Sequence, residues 1–180
     1  MITVLFPGGF RPMHAGHIDL INQCLKNPNV NEIKIFIAKT SRDNISQYKA
    51  LEIINLLIND NKINIKLIQG PSPVTAIYDF LDNVNSGTYA MLSSNKNGDD
   101  QRLQKFYKHM LNFKNIDTIS LPININPILY KNRSDDNNET PISSSILRQD
   151  VFNNDFENFK TNYPNHAYNI IDQIWNLLKS

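Results

Sequence analysis

The sequence predicts an α/β fold, with a doubly wound parallel sheet of about five strands, helices on both faces and further helices at the C-terminal end. Short apolar runs rich in β-branched residues alternate with amphipathic stretches along the 180 residues, which is the order expected of βαβ crossovers. Clusters of Gly, Pro and Asn separate the runs, as connecting turns require. With no internal repeat or linker, this length predicts a single domain, 1–180, whose helical C-terminal part covers about 142–180.

The first half of the chain predicts three strand–helix pairs. Met1–Phe6 and Glu32–Ala38 are apolar and β-branched, which is typical of buried strands. Ile63–Ile68 alternates apolar and polar residues and is the third predicted strand. The helices that follow these strands are about Gly16–Leu25, a helix capped by Ser46 that runs to about Ile58, and a helix capped by Ser72 that has Pro73 at its first position and runs to about Val84.

The second half continues the alternation. Thr88–Ser93 is the fourth predicted strand and Thr118–Leu121 a short fifth, with a helix between them that ends near Leu111. A long polar loop is predicted over 124–140. A helix then begins at Ile142, and 156–178 is predicted to be helical with a break at Pro164.

Composition excludes several classes of protein. The formal net charge is +1, so there is no general attraction to nucleic acid or to an anionic membrane. The single cysteine, Cys24, cannot form an intramolecular disulfide or a cysteine-rich metal site. Met1–Phe6 is too short for a signal peptide or a membrane span. We therefore expect an intracellular, cytoplasmic protein, and the bias toward Asn, Ile and Lys would suit an AT-rich genome such as that of a virus or a small-genome bacterium.

The segment from Gly8 to His17 is the first candidate site, because it lies at a predicted strand-to-helix turn. Glycines there let the backbone approach a ligand closely, and the helix presents its N–H groups and positive dipole end to the same point. His14 and His17 are three residues apart and face one side, where each imidazole can donate to phosphate oxygens. Gly16 keeps that approach open. Two incidental histidines, or a metal pair that lacks an evident third ligand, remain as alternatives.

The segment from Pro141 to Arg148 is the second candidate. Ser143, Ser144 and Ser145 lie at a predicted helix start, where hydroxyls and backbone N–H groups can form an anion nest. Arg148 is one turn further along, and a guanidinium can hold phosphate oxygens through two N–H groups. The alternative is an ordinary serine-capped helix with a solvated arginine.

Together the two segments resemble the signature motifs of the nucleotidyltransferase superfamily with the HIGH motif, which includes nicotinamide-mononucleotide and phosphopantetheine adenylyltransferases and cytidylyltransferases. The first matches the pattern G-x-F-x-P-x-H-x-G-H, and the second resembles I-S-S-[ST]-x-x-[RK]. The resemblance covers the chain in outline and implies a Rossmann-like fold. The fixed positions of the first motif are Gly8, Phe10, Pro12, His14, Gly16 and His17.

The resemblance also implies roles for individual residues. His14 and His17 would bind the triphosphate and stabilise charge at the transferred phosphorus. The three serines and Arg148 would hold the β- and γ-phosphates, and Ile142 would lie by the base. Phe10 and Gly9 would line the turn under the nucleotide. Many relatives carry Thr, Ser or Arg in place of Gly9, so one side-chain contact is absent or is replaced by a backbone amide.

The implied reaction moves a nucleoside monophosphate onto a small phosphate-bearing acceptor and releases pyrophosphate. An acceptor phosphate is already an anionic nucleophile, so the site needs alignment and charge neutralisation rather than a general base. Mg²⁺ bound to the phosphates would contribute to that neutralisation. ATP is favoured over CTP, because the R-T-E-G-I-S-T-S form of cytidylyltransferases is absent here. All of this requires the two segments to converge around one polyphosphate.

Residues after other strands are weaker candidates for contacting the acceptor. Lys39 and Arg42 follow the second predicted strand, and solvated loop cations are the alternative. Ser72 belongs to a turn that would shape the acceptor pocket. Lys96, Asp99 and Arg102 follow the fourth strand, where the aspartate could instead stabilise a helix N-terminus.

Two other hypotheses remain beside transfer to an unidentified acceptor. One is a nucleotide-binding protein that keeps the fold without the chemistry. The other is a truncated core of a class I aminoacyl-tRNA synthetase, which the lack of a K-M-S-K-S-like segment and of basic excess disfavours. Nicotinamide mononucleotide, phosphopantetheine and a phosphosugar or polyol phosphate stay open as acceptors. Because relatives commonly assemble, we expect a homo-oligomer.

Overall fold

The computed structural model describes residues 1–93, 99–123, 129–130 and 140–180. The strands are β1 (Ile2–Gly8), β2 (Val30–Ile37), β3 (Ile63–Leu67), β4 (Gly87–Met91), β5 (Ile116–Thr118), β6 (Leu129–Tyr130) and β7 (Thr140–Pro141). The helices are α1 (Ala15–Leu25), α2 (Gln47–Leu57), α3 (Pro73–Asp82), α4 (Asp99–Met110), α5 (Ser144–Phe152), α6 (Phe156–Lys160) and α7 (Tyr168–Lys179). Within the described residues, no helix is both long and apolar enough to cross a membrane.

Five parallel strands form the main sheet in the order β3-β2-β1-β4-β5. The chain moves outward from β1 through β2 to β3 and then returns to the other side of β1, where Leu5 pairs with Met91 of β4. Because crossovers of parallel strands are right-handed, this reversal assigns α1 and α3 to opposite faces of the sheet. The predicted α/β class is therefore confirmed: the fold is Rossmann-like, with five parallel strands and C-terminal helices.

The chain divides into two compact units. The first comprises Met1–Gly8, Leu20–Lys39 and Asp60–Asn126, and it contains the whole parallel sheet with α3 and α4. Its core is an apolar cluster in which α3 packs against β1 and β2. The buried members of that cluster are Leu5, Phe36, Ile68, Ile77, Leu81, Tyr89, Met91, Phe106, Met110 and Ile116.

The second unit comprises Gly9–Asp19, Thr40–Asn59 and Pro127–Ser180. Within it α2 packs against α7, and α6 packs against both α5 and α7. The half-buried Trp175 packs against Phe159 within this unit, with 5.1 Å between the ring centroids. Both candidate motifs, apart from Gly8, belong to this unit.

The predicted helix caps are confirmed. The Ser46 hydroxyl accepts a hydrogen bond from the Lys49 N–H at 3.1 Å, and the Ser72 hydroxyl accepts one from the Val74 N–H at 3.2 Å. Pro73 lies in the first turn of α3, where a backbone N–H has no intrahelical acceptor, so the N–H that proline lacks costs the helix no hydrogen bond. Each cap satisfies an N–H that the helix itself cannot pair.

Three predicted boundaries are wrong in detail. The fifth strand was expected at Thr118–Leu121, but it begins at Ile116, which is buried and pairs with Gly87. Inside the expected polar loop, β6 and β7 form a short antiparallel pair. The predicted helix over 156–178 is divided into α6 and α7 by an irregular stretch wider than the single break expected at Pro164.

Candidate functional site

Two histidines cap the start of α1. The helix begins at Ala15 rather than Gly16, so His14 is the capping residue, and its carbonyl accepts the first helical hydrogen bond from the Ile18 N–H at 3.1 Å. The Nδ1 atom of His14 accepts from the Gly16 N–H at 3.0 Å. The Nδ1 atom of His17 accepts in return from the His14 N–H at 3.2 Å. This is the reciprocal arrangement of a capping box, with imidazoles in place of the usual hydroxyl and carboxylate.

The cap fixes the tautomer of both histidines. A neutral imidazole has one donor and one acceptor nitrogen, and in both rings the acceptor is Nδ1. The ring proton therefore resides on Nε2, which makes each Nε2–H a hydrogen-bond donor. The two rings lie against each other with centroids 3.9 Å apart, which confirms that they face one side. His14 is almost fully buried, whereas His17 is the more accessible of the two.

Gly16 is required by the His14 ring itself. A Cβ atom at this position would lie 2.9 Å from Cε1 and 3.1 Å from Nδ1 of His14. Both distances are shorter than an ordinary van der Waals contact. The glycine therefore makes room for the capping imidazole, in addition to leaving the helix end accessible.

The turn before α1 has an unusual backbone. Phe10 adopts a positive φ of 52°, a region that non-glycine residues rarely occupy and that concentrates at functional sites. Its buried ring packs edge-on against His17 with centroids 5.0 Å apart. The following Arg11–Pro12 peptide bond is cis. The side chain of Arg11 turns back over the loop and donates to the carbonyls of Gly9 and Thr40.

Side chains from the C-terminal part of the chain hold three consecutive carbonyls of this turn. The Nη1 group of Arg148 donates to the Arg11 carbonyl at 2.7 Å. The Ser144 hydroxyl donates to the Pro12 carbonyl at 2.8 Å. The buried Tyr163 hydroxyl donates to the Met13 carbonyl at 2.6 Å. The amino-terminal and carboxyl-terminal motifs, predicted from sequence to converge, are therefore in direct contact.

The three serines have different positions in this contact. Ser143 is the cap of α5, and its hydroxyl accepts from the Ile146 N–H at 3.4 Å. Ser144 is buried and holds the turn. Ser145 is exposed, and its hydroxyl accepts from Nη2 of Arg148 at 3.3 Å. Ile142 is buried just before the helix. Only Ser145 therefore combines an exposed hydroxyl with a position next to the arginine.

Positive charge accumulates on one side of the second unit. The Arg11 guanidinium is buried, and burial lowers its pKa; the neighbouring charge of Arg42 lowers it further. Arg148 adds a third guanidinium, which forms an ion pair with Asp43 at 2.6 Å. The N-termini of α1 and α5 contribute their dipoles in addition. A site of this composition is suited to a multiply charged anion.

The weaker candidates are distributed over both units. Lys39 and Arg42 are exposed, and only Arg42 belongs to the second unit. Ser72 lines a cleft of about 330 Å³ in the first unit, beside Lys66 and Asp79. Arg102 is exposed on α4. Lys96 lies outside the described residues, and of Asp99 only the backbone at the start of α4 is described.

Sequence reasoning missed three residues of this site: Arg11, Asp43 and Tyr163. Arg11 occupies a variable position of the motif pattern, and the other two lie far from both motifs in sequence. No local periodicity signals such contacts. Within residues 1–93, 99–123, 129–130 and 140–180, no group of three or more His, Cys, Asp or Glu side chains is arranged to hold a metal ion.

Comparison with known proteins adds one finding. No family model matches the chain, and no curated protein sequence matches it. Among solved structures, the chain is similar to Plasmodium falciparum nicotinic acid mononucleotide adenylyltransferase complexed with APC, with a TM-score of 0.51 and 18% sequence identity. The match covers 98% of this chain and 96% of that one. At this identity the likeness concerns the fold, so the chain has the Rossmann-like fold of a solved nucleotidyltransferase.

Proposed function

We propose that this protein is a nucleotidyltransferase that transfers AMP from ATP to a small phosphate-bearing acceptor and releases pyrophosphate. The observation that carries the proposal is the convergence of the histidine-capped turn and the serine–arginine helix in the second unit. The full-length likeness to an adenylyltransferase fold supports it. Fold alone does not assign an activity, so the weight rests on these side chains.

The donors suit a polyphosphate. The Nε2–H of His17, the Ser145 hydroxyl and the first N–H groups of α5 are neutral donors, and they are joined by the charge of Arg148. Hydrogen bonds to charged oxygens are about twice as strong as those between neutral groups. The rigid contacts to carbonyls 11–13 would keep these donors in place, so little reorganisation is needed when charge develops.

The chemistry follows from bringing two anions together. The acceptor phosphate oxygen would attack the α-phosphorus in line, the bond to the bridging oxygen would break, and pyrophosphate would leave. The attacking oxygen carries no proton that must be removed, so the histidines act as donors rather than bases. Mg²⁺ would arrive with the nucleotide, and when bound it neutralises charge on the phosphate oxygens. The protein's own groups would hold and orient the triphosphate.

The test is a screen for pyrophosphate release. Purified protein is incubated with ATP or CTP, Mg²⁺ and one acceptor at a time. Nicotinic acid mononucleotide is tried first because the similar solved structure is named for it, followed by nicotinamide mononucleotide, phosphopantetheine and phosphosugars. We expect release with one acceptor and with ATP in preference to CTP. Nucleotide binding without release for any acceptor would instead favour a binding protein that lacks the chemistry.

The variant H17E separates chemistry from folding. In a capping box, glutamate is preferred at the third residue after the cap, which is the place of His17. Its carboxylate can therefore accept from the His14 N–H as the imidazole does. It removes the Nε2–H donor and adds a negative charge where the phosphates would bind. We expect turnover to fall by about 100-fold or more, with the midpoint of thermal unfolding little changed. H109A, at an exposed histidine of α4, serves as the control and should retain full activity.

A further inference from the structure

Arg148, the proposed phosphate ligand, already holds a carboxylate. Its Nε group donates to Oδ2 of Asp43 at 2.6 Å, a short charge-assisted hydrogen bond. Its Nη1 and Nη2 groups donate to the Arg11 carbonyl and to the Ser145 hydroxyl. The Arg148 side chain is 12% exposed, whereas that of Asp43 is 66% exposed. The arginine is thus fixed from two sides by neutral acceptors, and the aspartate approaches it from the solvent side.

A tight turn presents Asp43 to the arginine. The backbone N–H groups of Arg42 and Ile45 donate to each other's carbonyls at 3.1 Å and 2.9 Å. The two residues between them, Asp43 and Asn44, have φ values of 48° and 63°. Positive φ at both central positions is characteristic of a type I′ turn, which Asp and Asn tolerate better than most residues. The turn therefore fixes the aspartate backbone while its side chain can rotate into water.

We infer that Asp43 is a built-in competitor of the polyphosphate: its carboxylate occupies Arg148 until the ligand displaces it. The inference rests on the proposed function, because it assigns a regulator to the same anion site. A carboxylate and a phosphate chain at one guanidinium repel each other, so one of them leaves. Asp43 leaves at little cost because it is exposed. Arg148 stays because the Arg11 carbonyl and the Ser145 hydroxyl hold it.

The surroundings leave room for this exchange. Asp43, Ser145 and Arg148 line the same cleft in the second unit, together with Lys179, and its volume is about 650 Å³. That volume is sufficient for a phosphate chain. A ligand with several charges gains enough from Arg148 to displace the aspartate. Asp43 would therefore lower the affinity of the site for a polyphosphate by the factor that its own hold on the arginine sets.

The experiment measures binding of inorganic tripolyphosphate to the intact protein by calorimetry. D43N keeps a side chain that tolerates the positive φ and can still accept from Arg148, but it removes the charge. We expect D43N to bind tripolyphosphate about fivefold more tightly than the unmodified protein. E157Q removes one negative charge from the Glu157–Lys160 pair of the same unit and should change nothing. In the double variant D43N/R148Q the gain should disappear, since the aspartate acts through the arginine.

The outcomes separate this inference from the proposed function. Equal or weaker binding of tripolyphosphate in D43N would overturn the competitor role and would identify Asp43 as a residue that only positions Arg148. No binding by any of the proteins would overturn it as well, because Arg148 would then hold no polyphosphate. A pyrophosphate-release screen without turnover would count against nucleotidyl transfer, yet it would leave the tripolyphosphate result standing.

Discussion

Replacing Gly16 by alanine should leave the free energy of unfolding almost unchanged while lowering the affinity of the site for ATP. The added Cβ would lie 2.9 Å from Cε1 of His14, so the ring has to move by about 0.6 Å or more to reach an ordinary carbon contact. That movement lengthens the 3.0 Å hydrogen bond between the Gly16 N–H and Nδ1 of His14. Because the His17 ring lies against that of His14, we expect it to be displaced too.

Two opposing effects determine the free energy of unfolding. Alanine is favoured over glycine in a helix by about 0.5–1 kcal/mol, and loss of a cap costs about 1 kcal/mol. The sum is close to zero. The affinity for ATP has no such compensation. A hydrogen-bond donor that no longer points at a charged phosphate oxygen loses about 1.5 kcal/mol of binding free energy, which is roughly tenfold in the dissociation constant.

The assay is calorimetric titration with ATP, combined with urea unfolding of the same samples. G70A is the matched control, because a Cβ at Gly70 meets no atom within 4 Å, and it should change neither quantity appreciably. If G16A bound ATP as tightly as the unmodified protein, the role assigned to the histidine cap would be wrong. A loss of stability above about 2 kcal/mol would contradict the compensation argued above.

Two further predictions concern buried groups. Burial raises the pKa of the Cys24 thiol from its ordinary value of 9.0 to about 12. Above pH 9 the unfolded chain therefore loses this proton while the folded chain keeps it, and stability falls as the pH rises. We expect urea unfolding to show a loss of stability between pH 9 and 12 that is up to roughly 4 kcal/mol larger than the loss in C24A, and equal losses in the two proteins would refute this. Y163F leaves the buried Met13 carbonyl without its 2.6 Å donor and should lower the free energy of unfolding by about 1–3 kcal/mol. Y168F, at a tyrosine that is 64% exposed, should be neutral in the same urea experiment, and equal effects of the two variants would contradict the assignment.

Much of the fold could be predicted because its signals are local. Apolar runs, serine caps and a proline in a first turn each report on a few neighbouring residues, and Ser46 and Ser72 were identified this way. The fifth strand was misplaced because its position depends on pairing with β4, and the apolar residues around it fit either register. The two-residue strands β6 and β7 are too short to show any periodicity.

For the candidate site, the sequence indicates which residues to consider but not which contacts they make. Motif spacing identified His14, His17 and Arg148, and the structure brings their segments together. Motif spacing could not show that Nδ1 of each histidine accepts a backbone hydrogen bond, since that depends on ring orientation. Nor could it connect Arg148 with Asp43, which lies 105 positions earlier in the chain. Contacts at such a separation follow from the completed tertiary structure.

The three carbonyl contacts of the amino-terminal turn span 132 to 150 positions of the chain. The amino-terminal turn is therefore completed only when the C-terminal residues from 144 onward have folded onto it, and such distant closures are slow. A ligand that binds the finished turn stabilises those residues by mass action. Slower amide hydrogen exchange in α5 on adding ATP would thus report occupancy of a turn that lies at the other end of the sequence.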